Sequence, residues 1–211
     1  MKSEIEYDLD QASKKVFAIY TFLDQGEWVC QDFLENLSRD TKKGTQELKK
    51  ISLEKWRKES VNYLFQTLYS SVILFLCSIL ETSLLSVIYN IVVEVEKDPF
   101  LTHEEISKFK KEGNSSCKIY YNILDKYMGI KINPDCLAKL CDVFSFRNRI
   151  VHETGGILLP EELETEGEIS GYMAKNIIGY KYCMEAISIV NDLMAEIAQK
   201  IGVSYYNFMQ C

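Results

Sequence analysis

Three side chains suited to phosphate chemistry stand close together in the segment FRNRIVHETGG, at residues 146–156. Arg147 keeps its positive charge at physiological pH and can fork onto the oxygens of a phosphate. His152 can give or take a proton near neutral pH, and Asn148 can orient that imidazole or donate to a phosphate. Groups of these kinds could act on a phosphodiester, where positive charge at phosphorus and proton transfer by a base or an acid assist the reaction.

A helix that begins at Asn133-Pro134 is expected to carry these side chains, and Gly155-Gly156 favours its end. Its apolar stripe continues, at about 100° per residue, through positions 147 and 151. The stripe contains Leu137, Leu140, Val143 and Phe144. Arg147 is therefore expected to face the packed side of the helix, and Val151 to continue the buried stripe.

The same residues also have a purely structural interpretation. A histidine near a helix C-terminus often interacts only with the helix dipole. An arginine that faces a core often pairs with a carboxylate, and Glu81 is the obvious candidate. In the functional interpretation, Arg147 adjoins Asn148 and His152, and these two lie four residues apart on a neighbouring face of the helix. Spacing alone does not distinguish the structural interpretation from the functional one.

The string Arg147-Asn148-x-x-x-His152 resembles the Arg-x4-6-His signature of the HEPN superfamily (higher eukaryotes and prokaryotes nucleotide-binding). A polar residue after the arginine, very often asparagine, belongs to that signature and is Asn148 here. Glu81 in the segment ILETSLL resembles the acidic residue of an earlier core helix in many members. The resemblance covers roughly residues 60–200.

The resemblance implies an all-α fold, a HEPN-like helical bundle with long central helices that forms a dimer. It implies a metal-independent endoribonuclease with Arg147, His152 and Asn148 as catalytic residues, Glu81 in support, and no cofactor. The 2′-hydroxyl of RNA would attack its own phosphorus and leave a 2′,3′-cyclic phosphate. Since each chain has one motif histidine, a symmetric dimer with the motif helices at its interface would bring acid and base together.

Family members recur as toxins, in abortive phage defence and in CRISPR effectors, so an antitoxin or another regulatory protein is a possible partner besides RNA. Toxins paired with a nucleotidyltransferase tend to carry a tyrosine two places after the histidine. Here that position is Thr154, so regulation through modification of that tyrosine is not expected.

Composition opposes a large basic surface for nucleic acid but allows a small site for one phosphodiester. The net charge is −7, whereas sequence-independent binding depends on Lys and Arg. The seven cysteines include no Cys-x-x-Cys pair and no histidine at zinc spacing, so no metal site is predicted. An odd cysteine count and a charged N-terminus without a signal peptide favour the cytoplasm.

Residues 61–93 contain Glu81 as their only charge and are long enough to span a bilayer, for which about 20 residues suffice. A carboxylate near the bilayer centre is costly, and many Ser, Thr and Asn residues dilute the segment. A central, fully wrapped helix of a bundle is therefore favoured over a membrane span. Its aromatic side chains are expected in the core rather than in a base-stacking platform. They are Tyr63, Phe65, Tyr69 and Phe75.

Apolar residues recur at three- and four-residue spacing throughout, which predicts helices along the chain. One helix is expected over residues 4–37 with a bend near Gly26, followed by a polar connector at 39–50. Ser52 is expected to cap a helix that runs to about Val95, broken near residues 60–62. Three further helices are expected. The first is opened by a capping box of Thr102 and Glu105 and ends at Gly113. The second spans residues 115–128, and the third spans about 169–201.

The predicted domains are an N-terminal helical extension that packs on the bundle (1–50), the HEPN-like domain (51–205) and a C-terminal tail (206–211). The end of the chain, SYYNFMQC, is too apolar for a simple solvated tail. An acidic loop, ILLPEELETEGE, precedes the last helix.

Further charged residues have less specific interpretations. Arg149 could face solvent or contact phosphate, and His103 is expected to be solvated. A small basic run could touch RNA but is more typical of a solvated helix face; it comprises Lys108, Lys110 and Lys111. Two functions therefore compete: the ribonuclease, and a non-catalytic helical module that binds a nucleotide or a protein.

Overall fold

Long α-helices form nearly all of the regular structure. The computed structural model describes residues 2–40, 47–96, 103–104, 106–108, 116–152 and 179–210. The helices are α1 (Lys2–Asp40), α2 (Glu47–Glu96), α3 (Ser116–Met128), α4 (Pro134–His152) and α5 (Tyr180–Ile201), with a 3-10 turn at Phe208–Gln210. No strand occurs among these residues. The all-α prediction is confirmed.

The two longest helices, α1 and α2, pack side by side in opposite directions. The Ser86 hydroxyl on α2 donates to Asp8 near the start of α1, and Gly26 approaches Leu68 near the other end. Both helices are continuous, so the predicted break near residues 60–62 is wrong, while the predicted bend near Gly26 stays a prediction. Contacts along the paired helices outweigh the local preference of glycine and serine to interrupt a helix.

Ser52 lies inside α2, which already begins at Glu47, so its predicted role as N-cap is also wrong. The helix starts one turn earlier because Glu47 to Lys50 are good helix formers. Part of the predicted 39–50 connector is thus helical, and residues 41–46 lie outside the described part of the chain.

The core lies between α2 and the other helices. Helices α1, α2 and α3 supply most of its largest fully buried side chains. Helices α4 and α5 contribute to the same cluster through Leu140, Phe144, Ile187 and Met194. Residues of α1 belong to this cluster as well, among them Ile5, Leu9, Val16 and Leu23. The N-terminal segment therefore packs on the bundle through an apolar stripe that runs from Ile5 to Cys30.

One side of α2 is exposed, which corrects the prediction of a fully wrapped helix. Tyr69 is buried and Phe65 packs against the core, but Phe75 keeps 57% of its surface, so its predicted core position is wrong. The stretch Tyr63–Val93 could cross a membrane by length and composition, and half of its most apolar window is buried in the bundle. A core helix of a soluble protein meets the same criterion.

The motif helix α4 begins as predicted. The Asn133 side chain accepts a hydrogen bond from the Asp135 backbone N–H at 2.9 Å, which is the expected N-cap. Ile150 is buried and Val151 is 52% exposed, so the buried stripe ends on Ile150 and the prediction for Val151 is wrong. The stripe shifts by one position because the neighbouring helices, rather than an ideal 100° step, decide which side is covered.

The last helix begins at Tyr180, later than the predicted start at about residue 169, because Gly179 has an extended backbone. It ends at Gly202, whose left-handed φ of 72° favours glycine. The segment after it folds back onto α1: the Ser13 hydroxyl donates to the Tyr206 carbonyl at 2.7 Å, and the Phe208 ring meets the Phe17 ring edge-on. The expectation that this tail is not simply solvated is confirmed.

Three sequence predictions lie outside the described residues. They are the capping box of Thr102 and Glu105, the end of the motif helix at Gly155-Gly156, and the acidic loop before α5.

Candidate functional site at Arg147 and Glu81

Contact between α4 and α2 sets the position of Arg147. The Cys77 thiol on α2 lies 4.0 Å from the Val143 carbonyl oxygen on α4. One turn further along each helix, Arg147 meets Glu81, because residues four apart share a helix face. Sequence spacing placed Arg147 toward the packed side of α4, and the structure confirms this.

The two side chains form an ion pair that is partly shielded from solvent. Arg147 Nη2 lies 2.5 Å from Glu81 Oε2, and the side chains keep only 23% and 24% of their surfaces exposed. Arg147 Nη1 donates a hydrogen bond to Asn148 Oδ1 at 2.9 Å, and its Cζ lies 5.8 Å from the centre of the Phe144 ring. The guanidinium is therefore held in one orientation by a carboxylate, an amide and an aromatic ring.

Glu81 was predicted in two ways, as the supporting residue of a catalytic site and as the structural partner of Arg147. The contact itself fits both roles, because a carboxylate that orients an arginine also neutralises it. The two roles differ in whether solvent and ligands can reach Arg147, and its side chain is 23% exposed.

Two further side chains lie in the field of this ion pair, Cys77 and Tyr120. Burial raises the pKa of the Cys77 thiol to about 12 and the Glu81 charge adds to the shift, while Arg147 opposes it by its charge and by a hydrogen bond. Burial also raises the pKa of Tyr120, again with Glu81 raising and Arg147 lowering it. Both groups stay protonated at neutral pH, so neither can serve there as a general base.

Sequence reasoning missed Cys77 and Tyr120. Cys77 stands one helical turn before Glu81, so helix spacing could have indicated it. Tyr120 comes from α3, and nothing in its local sequence connects it with α2 or α4.

His152 is the last residue of α4, and its side chain lies outside the part of the chain that the structure describes. Its predicted place in a catalytic site with Arg147 and Asn148 therefore stays a prediction.

The structure places Arg149 away from the ion pair. Its Cζ lies 4.8 Å above the Phe146 ring, and the side chain is half-buried. Its charge lowers the pKa of Tyr182 on α5, although burial and the nearby Asp142 raise that pKa to about 12 overall. The Arg149 side chain thus packs toward α5, whereas one of its two predicted roles had it facing solvent.

The remaining predicted side chains are peripheral. His103 and Lys108 are exposed, as a solvated helix face requires, while Lys110 and Lys111 lie outside the described residues. Within the described ranges, no group of three or more His, Cys, Asp or Glu side chains is arranged to hold a metal ion.

Comparisons with family models, with curated proteins and with solved structures gave no match to this chain.

Proposed function

We propose that this chain is a HEPN-type endoribonuclease of the cytoplasm that cleaves RNA without a metal and acts as a homodimer. The observation that supports the proposal best is the half-buried Arg147 on the motif helix, oriented by Glu81 and Asn148 yet still accessible. A fixed guanidinium of this kind is the group that a phosphorane intermediate needs, because it stabilises charge where it develops.

Each residue then has a role in the reaction. The RNA 2′-hydroxyl gives its proton to a base and attacks phosphorus, the bond to the 5′-oxygen breaks, and an acid protonates that oxygen. His152 can act as either base or acid, so the two histidines of a dimer can supply both. Arg147 contacts the phosphate oxygens, Asn148 fixes the arginine or donates to the phosphate, and Glu81 positions the guanidinium.

A second function, a non-catalytic module that binds a nucleotide or a protein, is favoured by one specific observation. The charge of Arg147 is already balanced by Glu81, as in an ion pair whose only role is structural. The net charge of −7 also offers no general attraction for RNA.

Incubation of purified protein with mixed RNA in EDTA distinguishes the two functions. Wild type should cleave, and the products should carry 2′,3′-cyclic phosphates. His152→Ala and Arg147→Ala should each lose at least about 100-fold in rate, the usual contribution of general acid–base catalysis or of one stabilising donor. The matched control is Lys139→Ala, which removes an exposed cation from the same helix and should cleave normally.

Each opposite result has a definite meaning. Cleavage that survives His152→Ala would assign the activity to another site or to a contaminant. No cleavage of any RNA, together with binding of a nucleotide or a protein that Arg147→Ala abolishes, would favour the binding module. Growth inhibition on expression that either substitution relieves would support the nuclease independently.

A further inference from the structure

A continuous uncharged stripe runs along the exposed side of α2. Its positions are three or four residues apart, and its side chains are exposed or half-exposed. These residues, the α2 stripe, are Leu64, Thr67, Ser71, Phe75, Ser78, Thr82, Leu85 and Tyr89. The four large side chains keep between 36% and 57% of their surfaces. The stripe extends for about 38 Å at 1.5 Å per residue.

Such a stripe is unusual for a helix side that faces water, where charged residues are the rule. Two hydroxyl groups of the stripe already have hydrogen-bond partners within α2, so they do not need water. Ser71 and Thr82 each donate to the backbone carbonyl four residues earlier, at 2.7 Å, so their hydrogen bonds survive burial against another helix. Half of the positions are Ser or Thr, whereas a side that faces lipid would be apolar almost throughout.

The order of small and large residues makes the stripe complementary to itself. If a second α2 runs antiparallel and crosses at Ser78, the two smallest side chains meet at the point of closest approach. On either side of that crossing, two of the large residues face small ones: Leu85 faces Ser71, and Tyr89 faces Thr67 of the partner subunit. Phe75 lies level with residue 81 and next to Thr82, and Leu64 lies beyond Tyr89 of the partner subunit. The average spacing of about 3.5 residues is the period at which two helices keep one seam in contact.

Neighbouring residues of α1 extend this surface toward the area that a dimer requires. The two stripes overlap over residues 67–89, about 33 Å, which at about 10 Å wide gives roughly 330 Å² per protomer, less than half of the ~800 Å² typical of stable interfaces. Phe22, Val29 and Phe33 are exposed and share one helical stripe with Gly26. Because Gly26 contacts Leu68, this α1 stripe adjoins the exposed side of α2.

We propose that two copies of this chain pair through the α2 stripe, antiparallel, with the two-fold axis near Ser78. The pairing has a consequence for the candidate site, and that consequence rests on the proposed function. Glu81 lies three residues from Ser78, so the two Glu81–Arg147 pairs stand about 9 Å apart along the helix direction. A two-fold axis perpendicular to the helices puts both pairs on the same side of the dimer, where one RNA backbone can meet both.

Sedimentation equilibrium of the full chain between 1 and 100 µM tests the interface without reference to RNA. Wild type should be a dimer. Phe75→Glu should be a monomer with unchanged helical circular dichroism, because it places two carboxylates in an apolar contact. Trp28→Glu is the matched control: Trp28 is 70% exposed on another side of α1, and this variant should remain a dimer.

Disulfide cross-linking tests the orientation. Ser78→Cys should cross-link to itself under mild oxidation well above the level of the parental protein, whose exposed Cys136 sets the baseline. Ser71→Cys should cross-link efficiently only when mixed with Leu85→Cys, as an antiparallel pairing requires.

Three outcomes would overturn the proposal: a monomeric wild type, including one that sediments with lipid vesicles; a Phe75→Glu variant that remains dimeric; or cross-linking at Trp28→Cys rather than Ser78→Cys. A dimer of the expected kind that fails to cleave RNA would leave the interface standing and remove the proposed function, so the two failures are distinguishable.

Discussion

The ion pair between Arg147 and Glu81 leads to a quantitative prediction for a double-mutant cycle. At a charge separation of about 4 Å and an effective dielectric constant near 20, the attraction is about 4 kcal/mol before desolvation. Each side chain has lost more than three-quarters of its exposure, so removal from water offsets part of that gain. We expect a coupling energy of about 1–2 kcal/mol between Arg147→Ala and Glu81→Gln.

Each single substitution should cost more than the coupling energy, about 2–3 kcal/mol, because it leaves the other charge half-buried without its partner. The quantity to measure is the free energy of unfolding, from urea titrations followed by circular dichroism at pH 7. The matched control is the pair Lys139 and Glu185, whose side chains are 55% and 48% exposed. Its coupling should be much smaller and should vanish in 1 M salt.

A coupling between Arg147 and Glu81 no larger than that of the exposed control pair would refute this account. It would mean that the two side chains do not hold each other in solution, and Glu81 could not then position the guanidinium for phosphate.

Three further predictions concern the rest of the bundle. Burial raises the pKa values of Cys77 and Cys183 to about 12, so the stability that each thiol contributes is complete below pH 9 and is lost as the pH rises toward 12. At pH 10 the loss should be about 1.4 kcal/mol per thiol in urea titrations, and Cys183→Ala should reduce it. Gly26→Val should destabilise the protein by about 1–3 kcal/mol in the same assay, because even a Cβ would lie 2.7 Å from Leu68 Cδ1; a neutral result would mean that α1 and α2 are not so close. Phe208→Ala should lower the melting temperature by weakening tail contacts with α1, at a cost of about 1–2 kcal/mol, and an unchanged melting curve would show that the tail does not dock.

Local sequence was a good guide wherever local chemistry decides the structure. The N-cap at Asn133 and the inward direction of Arg147 follow from residue types and helix period within a single helix. Predictions failed where distant contacts decide. Phe75 was expected in the core and is 57% exposed, because the neighbouring helices pack against the other sides of α2.

The partners of the candidate site show the same division. The sequence indicated Glu81 as a partner for Arg147, since an arginine on the packed side of a helix needs a carboxylate. It could not indicate Tyr120, because only the packing of α3 brings that phenol into the field of the ion pair.

The sequence by itself therefore determined the helical class, the start of the motif helix and the need of Arg147 for a partner. These properties depend on helix period, capping and the cost of an isolated buried charge, all of which operate within a few turns of chain. Only the tertiary structure decided which side of α2 is covered. Residues 61–93 are apolar almost all round, so their periodicity does not distinguish a buried side from an exposed one. Phe75 and the uncharged stripe around it are exposed because α1, α3, α4 and α5 pack against the other sides of α2.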